Sequence, residues 1–541
     1  MAKSYRRVDR DQAFLLPPDM REWLPEGHPV FVVIEALERM DTSAFHALRR
    51  TGGAGAAGYD PDMLLAVLVW AYAHRETSSR RMEELCRTDV AFRVICGGNL
   101  PDHSTIARFR REFGGAAAEF FGQVLILCAR LGMGRLGTVA LDGMKIAASA
   151  SKAANRTEKR LRELAGQAVA AHAAADAAED ELSGAGRRGD ELPPGEGGSW
   201  SPRRRGERIA AALAQLEAER KAAEAEGQAK AAEFRARQRA GRRTGPAPAG
   251  SAVELAQENL ARVIAAREAQ LARLAERHAA QPWRRLGGVR DYCRVREAAA
   301  KVERARERAA EAERRAAEAA GPGPVRNLTD PDSRLMPARN GFIQGYNTQN
   351  VTSADGLITA TELTDDTTDM AWFAPMMEKA EQAAALIEAN RPARPQGAGE
   401  PDGGPGGIGQ ALADAGYCSE DNLTCDGPDR LIAVGKRRDL EEAARGPGQD
   451  DGPGQDRGGS AVRAMRERLR TGEGIAAYRQ RGHIAETPHG HIKHNMGFRQ
   501  LSMRGKDKAA AEWTFACAIH NLFRALTAGH LTPQALAGLA G

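Results

Sequence analysis

Three carboxylates far apart in the 541-residue chain, Asp142, Asp414 and Glu486, stand in settings that could aim them at one ligand. Asp142 follows the apolar, β-prone run Thr138-Val139-Ala140-Leu141 and precedes Gly143, so a strand can carry a single acid out of a core. The glycine then lets the backbone come close to whatever the acid holds. Ala411-Leu412-Ala413-Asp414-Ala415-Gly416 repeats that design, and Glu486 lies in the polar segment Tyr478 to Lys493 with Arg481, His483, His489 and His491. Three carboxylates without a cysteine ligand make a hard oxygen set, suited to Mg²⁺ or Mn²⁺ and poor for Zn²⁺. Two such ions about 4 Å apart activate a water or sugar hydroxyl and stabilise the leaving oxygen of an in-line phosphodiester displacement. Taken singly, each stretch also reads as an ordinary strand or turn ending in a solvated acid, and spacing alone does not select these three. The nearby histidines lack the regular ligand spacing of a zinc site, and they are also good donors to phosphate.

The elements that must hold these acids are legible in outline. Gly341 to Thr352 predicts a strand, Ala354-Asp355-Gly356 a tight turn and Leu357 to Thr364 its hairpin partner. Asp369 to Ala389 predicts an amphipathic helix, Leu431 to Val434 a further strand and Lys508 to Leu526 a closing helix. In such a hairpin with parallel strands and flanking helices, the strands bearing Asp142 and Asp414 can be neighbours. Pro488 suits a first helical turn, which places Glu486 at or just before a helix start. Residues 1–135 predict a compact helical domain, in which two short helices, Ser78 onward and Pro101 to Phe113, resemble a helix-turn-helix. Its second helix carries Arg108, Arg110 and Arg111 as candidate DNA contacts. Residues 151–324 are dominated by Ala, Glu, Arg and Gln and predict long charged helices or antiparallel coiled coil, partly disordered. Gly/Pro-rich linkers are expected at 390–408 and 440–470.

The totals point the same way. Lys and Arg number 77 against 72 Asp and Glu, so an anionic partner must be held by local patches. Seven scattered cysteines read as reduced thiols. No apolar run approaches the roughly 18 residues of a membrane span, and a soluble, intracellular protein is expected.

Four stretches resemble the insertion-sequence transposases with an RNase H-like DDE catalytic domain. They are Ala140-Leu141-Asp142-Gly143-Met144-Lys145, Asn340 to Gln349, Ala413-Asp414-Ala415-Gly416-Tyr417, and a C-terminal block with Tyr478, Arg481, Glu486 and Lys493, then Gly497-Phe498-Arg499-Gln500. The resemblance implies an α/β RNase H-like catalytic domain, a mixed sheet flanked by helices, built from residues 136–150 and 325–530. It implies that Asp142, Asp414 and Glu486 hold two Mg²⁺ or Mn²⁺ ions, that Lys493 reaches a phosphate, and that Arg481 and Tyr478 orient the DNA end. Four residues separate Arg481 from Glu486 where the commonest signature has three. The implied activity is hydrolysis at element ends followed by 3′-hydroxyl strand transfer into target DNA. The implied partners are double-stranded DNA, as terminal inverted repeats and target, and further copies of the chain in a dimer or larger synaptic complex. The alternatives are a transposase-derived repressor that no longer cuts and a nuclease without strand transfer.

Overall fold

The computed structural model describes residues 19–48, 58–112, 114–167, 202–240, 251–277, 287–318, 324–338, 341–392, 407–435 and 459–539. Two compact units divide the chain, Asn155–Leu328 and the remainder, Met1–Ala154 with Thr329–Gly541.

The larger unit opens with seven helices: α1 (Pro29–Glu38), α2 (Ser43–Ala47), α3 (Pro61–Ala73), α4 (Ser79–Thr88), α5 (Val90–Cys96), α6 (His103–Arg111) and α7 (Ala116–Arg130). Capping side chains start several of them. Asp60 accepts from the Asp62 amide at 3.1 Å, and Asp102 accepts from those of Ser104 and Thr105 at 2.8 and 3.0 Å. These helices do not form a domain of their own. Most of α3 is buried, and Tyr72 meets Phe515 edge-on at 5.6 Å while Phe120 lies 5.5 Å from the same ring. The expected boundary at residue 135 therefore divides a single core. The physical signal is α3 itself: a helix apolar all round needs cover on every side.

The strands are β1 (Thr138–Ala147), β2 (Asn155–Thr157), β3 (Val325–Asn327), β4 (Arg334–Ala338), β5 (Gly341–Ser353), β6 (Ile358–Thr364), β7 (Gln410–Ala413) and β8 (Asp429–Ile432). The main sheet runs β4-β5-β1-β7-β8, with β6 also on β5. β1 is antiparallel to β5 and parallel to β7, so the mixed sheet predicted from the hairpin and the two Asp-bearing runs is present. Gly356, at φ +89°, supplies the left-handed residue that closes the β5–β6 turn. The other helices of this unit are α11 (Phe373–Asn390), α12 (Glu420–Thr424), α13 (Ser460–Arg470), α14 (Gly472–Gly490), α15 (Lys506–Thr527) and α16 (Pro533–Gly538). The parts of the expected linkers at 393–406 and 440–458 lie outside the described residues. Residues 460–470 are a correction to the second linker: they form α13, whose Met465 and Leu469 bury against the apolar side chains of Ala140, Leu412 and Leu431.

In the smaller unit, 158–167 is helical, followed by α8 (Pro202–Arg239), α9 (Ala252–Arg277) and α10 (Cys293–Glu318). Leu161 and Leu164 pack with Ile209, Ala212 and Leu216 of α8, a small core of the sort Ala-rich seams allow. Helices α9 and α10 pack on each other, and Arg235 of α8 grips Glu258 of α9 at 2.9 Å. Residues 168–201, 241–250, 278–286 and 319–323 of the expected insertion lie outside the described residues.

Helix α15 carries a pH liability. His520 is buried, with Nδ1 3.0 Å from His491 Nδ1 and Nε2 3.1 Å from the Gly356 carbonyl. Burial, with the charge of His491, pushes its imidazole down to about 3. A histidine in the unfolded chain titrates near 6.5, so both states are neutral above that pH and stability is undiminished there. Below it the unfolded chain takes up a proton that the fold refuses, and stability falls by up to about 1.4 kcal/mol per pH unit until about pH 3. The urea midpoint is expected to drop from pH 7 to pH 5, and the drop to shrink in His520→Gln; an equal drop in both proteins would assign the effect elsewhere.

Candidate functional site

Asp142 and Asp414 arrive side by side because β1 and β7 run parallel in register. Leu141 pairs with Ala413, the last pair of that ladder, and each chain places an aspartate next. The two acids therefore share a face of the sheet at the point where the strands part. Asp142 is not at a strand end, as the sequence suggests, but mid-strand, because β1 continues to Ala147 along β5. Asp414 does end its strand. It caps the turn Ala415–Tyr417, accepting from the Gly416 amide at 2.8 Å.

A cation spans the pair. Arg481 Nη2 donates to Asp142 Oδ1 at 2.8 Å and lies 3.6 Å from Asp414 Oδ2. His489 Nδ1 stands 3.4 Å from Asp142 Oδ2. Burial pushes the Asp142 carboxyl up, but His489 and the Arg481 charge outweigh it, so the group stays below the ordinary carboxylate value. For Asp414 the balance reverses. Crowding by neighbouring atoms raises it, Arg481 pulls it down, and the charges of Asp142 and Asp369 push it up, leaving it above the ordinary value although 41% of the side chain is exposed.

Asp369 is the acid that sequence reasoning missed. Its Oδ1 accepts from Asn347 Nδ2 and Gln349 Nε2, both at 2.7 Å, and Tyr417 donates in turn to Gln349 Oε1. Gly143 leaves room beside it, since a β-carbon there would crowd Asp369 Oδ1 and force that side chain to shift. Asp369 reads as the start of a helix, yet α11 begins only at Phe373, after a short 3-10 turn, which leaves the aspartate side chain free to face the sheet.

Glu486 is placed differently from expectation. Thr471 caps α14 through its hydroxyl, so the helix starts at Gly472, and both Glu486 and Pro488 lie inside it. Arg481 and Glu486 are five residues apart, about 140° round the helix axis. The extra residue in the signature thus turns Glu486 toward solvent while Arg481 faces the aspartates. Glu486 still contributes to the field that raises the Arg481 guanidinium. Among the described residues, the one set of three His, Cys, Asp or Glu ligand atoms within 4.8 Å of one another is the exposed His46, Asp60 and Asp62, so Asp142, Asp414 and Glu486 are more widely spread than that.

Lys493 sits in a π-turn, His491–Asn495, that follows α14; burial pushes its amine down while the Asp142 charge pulls it up. Tyr478 packs against the apolar cluster that includes Leu431, Met465 and Ile484, and acts electrostatically on Arg481. Of the three candidate arginines of α6, Arg108 and Arg111 are exposed. Arg110 is turned inward to the Thr77 carbonyl and, at 3.4 Å, the Tyr72 hydroxyl. In this structure its Nη1 donors serve the junction between α3 and α4.

The site thus defines a class: paired acids on adjacent parallel strands, balanced by a guanidinium from a following helix, in a mixed sheet flanked by helices. Two domain models match the chain, Transposase domain (DUF772) over residues 18–112 and Transposase DDE domain over residues 456–526. Both matches support an insertion-sequence DDE transposase. No curated protein and no solved structure matches it. The second match takes in Arg481, Glu486 and Lys493, and the two aspartates lie outside it. Among the described residues, no single helix is long and apolar enough to cross a membrane.

Proposed function

We propose that the chain cuts insertion-sequence ends and joins their 3′-hydroxyls to target DNA, using an RNase H-like site in which Asp142, Asp414 and Glu486 hold divalent ions. The observation that carries this reading is the convergence of Asp142 and Asp414 on one cation, Arg481. The guanidinium occupies the position a metal would be asked to fill, and the all-oxygen donor set suits Mg²⁺ or Mn²⁺. Its Nε is buried without a hydrogen-bond partner among the described residues, as expected of a group waiting for a further acceptor such as phosphate. Glu486, exposed on the same helix as Arg481, would complete the set. Bound ions would polarise the scissile phosphate and activate the attacking oxygen.

The protein's own groups do the rest. Arg481, once displaced from the aspartates, offers a planar fork to a DNA-end phosphate, and Lys493 a point charge beside it. Tyr478 steadies Arg481 from the same helix. Arg108 and Arg111 on α6 provide a sequence-independent grip on the backbone. Joining two ends requires at least two copies, and the Asn155–Leu328 unit is offered as the arm that bridges them. A cytoplasmic, nucleoid-associated location goes with that substrate.

The test is incubation of the full chain with labelled end DNA, a target plasmid and Mn²⁺. Joined product from the wild type and none from Asp142→Ala supports the proposal. Nicking without joining would favour a nuclease, and bound, intact DNA a repressor.

A further inference from the structure

The side chain behind Asp142 is part of a polarised chain that starts in the core. Trp513 Nε1, which can only donate, gives its hydrogen to Thr361 Oγ1 at 2.8 Å. The Thr361 hydroxyl then lies 2.6 Å from Asn350 Oδ1, a length suited to O–H···O and short for N–H···O. The Cys517 thiol is directed at the same Asn350 oxygen at 4.0 Å. That oxygen therefore accepts, and the Asn350 amide nitrogen must face the other way. It does, standing 3.1 Å from His489 Nε2. A nitrogen that receives the amide hydrogen carries none itself, so a neutral His489 holds its proton on Nδ1, the atom facing Asp142 Oδ2 at 3.4 Å. The separation is at the long end of hydrogen-bond reach, as is common before substrate tightens a site. Asn350 is the cross-strand partner of Asp142 on β5, and it and His489 are buried, so the relay is built into the sheet.

We infer that His489 is the positioning residue of Asp142, fixed as the Nδ1–H tautomer by Asn350, Thr361 and Trp513, and that it leaves Oδ1 as the oxygen presented to the cation. The role of Asp142 rests on the proposed function; the tautomer does not. Partners that orient a metal ligand in this way alter metal affinity by about 10- to 100-fold when removed.

The experiment labels imidazole nitrogens in the full chain without metal and assigns His489 by comparison with His489→Asn. The expected result is a protonated Nδ1 and a bare Nε2. Thr361→Val, which removes the hydroxyl that orients Asn350, is expected to mix the tautomers and to weaken Mn²⁺ binding, read by paramagnetic titration, about tenfold. His489→Asn keeps an N–H close to the Nδ1 position and is expected to hold Mn²⁺ more tightly than His489→Leu. An Nε2–H tautomer in the wild type, or a Thr361→Val protein with unchanged tautomer and Mn²⁺ affinity, overturns the inference. Because neither readout needs DNA cleavage, a protein that cuts no DNA would remove the proposed activity and leave this result standing.

Discussion

Asp142→Asn is expected to lower end cleavage and strand joining by at least about 10³-fold, equivalent to about 4 kcal/mol of transition-state stabilisation, while the protein stays folded. Asparagine keeps the shape and one acceptor but removes the charge on which Arg481 and His489 both converge. The structural penalty is modest. Arg481 retains Asp414 at 3.6 Å, so the guanidinium is not stranded in the way that makes a broken buried pair cost several kcal/mol. A loss of about 1–2 kcal/mol in urea unfolding is expected, too little to empty the native state. The two aspartates differ in a measurable way. The Asp142 carboxyl is held low and Asp414 is pushed up, so Asp414→Asn removes a charge the fold already disfavours and is expected to cost less stability for a similar loss of activity. Rates within tenfold of wild type in Asp142→Asn would remove the acid from the chemistry and with it the proposed function.

What the sequence disclosed and what it hid follow from how local each feature is. The β5–β6 hairpin and the strand-Asp-Gly turn at 410–416 depend on neighbours within a few residues, and both stand close to their predicted places. Asp369 depends on Asn347 and Gln349 across the sheet, and nothing near it distinguishes it from Asp365 or Asp366. Pro488 was a misleading local cue. A proline suits a first helical turn, yet Thr471 had already started the helix, and Pro488 lies inside it near the other end, shortly before the π-turn at His491–Asn495. Arg110 shows the same limit. Its neighbours Arg108 and Arg111 are exposed, and only the packing of α6 near Tyr72 turns the middle one inward.

Arg481→Gln is expected to move two measurements in opposite directions. In the DNA-free protein the guanidinium sits against both aspartates, and a dication must displace it to use them. Glutamine removes that competing charge and leaves a neutral donor of similar reach, so Mn²⁺ affinity is expected to rise about tenfold, about 1.4 kcal/mol. With end DNA the sign reverses. On the proposed function the wild-type arginine, freed from the acids, would form a charge-assisted pair with a phosphate, and its loss is expected to lower strand joining about 100-fold. Arg481→Lys separates the two effects, because lysine keeps the competing charge but not the planar fork. It should bind Mn²⁺ as weakly as the wild type and still join ends poorly. The buried Nε of Arg481, without a partner among the described residues, is the structural reason to expect the second effect, since the guanidinium's hydrogen-bonding capacity is not fully used by the aspartates. An unchanged Mn²⁺ affinity in Arg481→Gln would mean that the guanidinium does not stand in the metal's place, and the convergence of Asp142 and Asp414 on it would then be an ordinary structural ion pair.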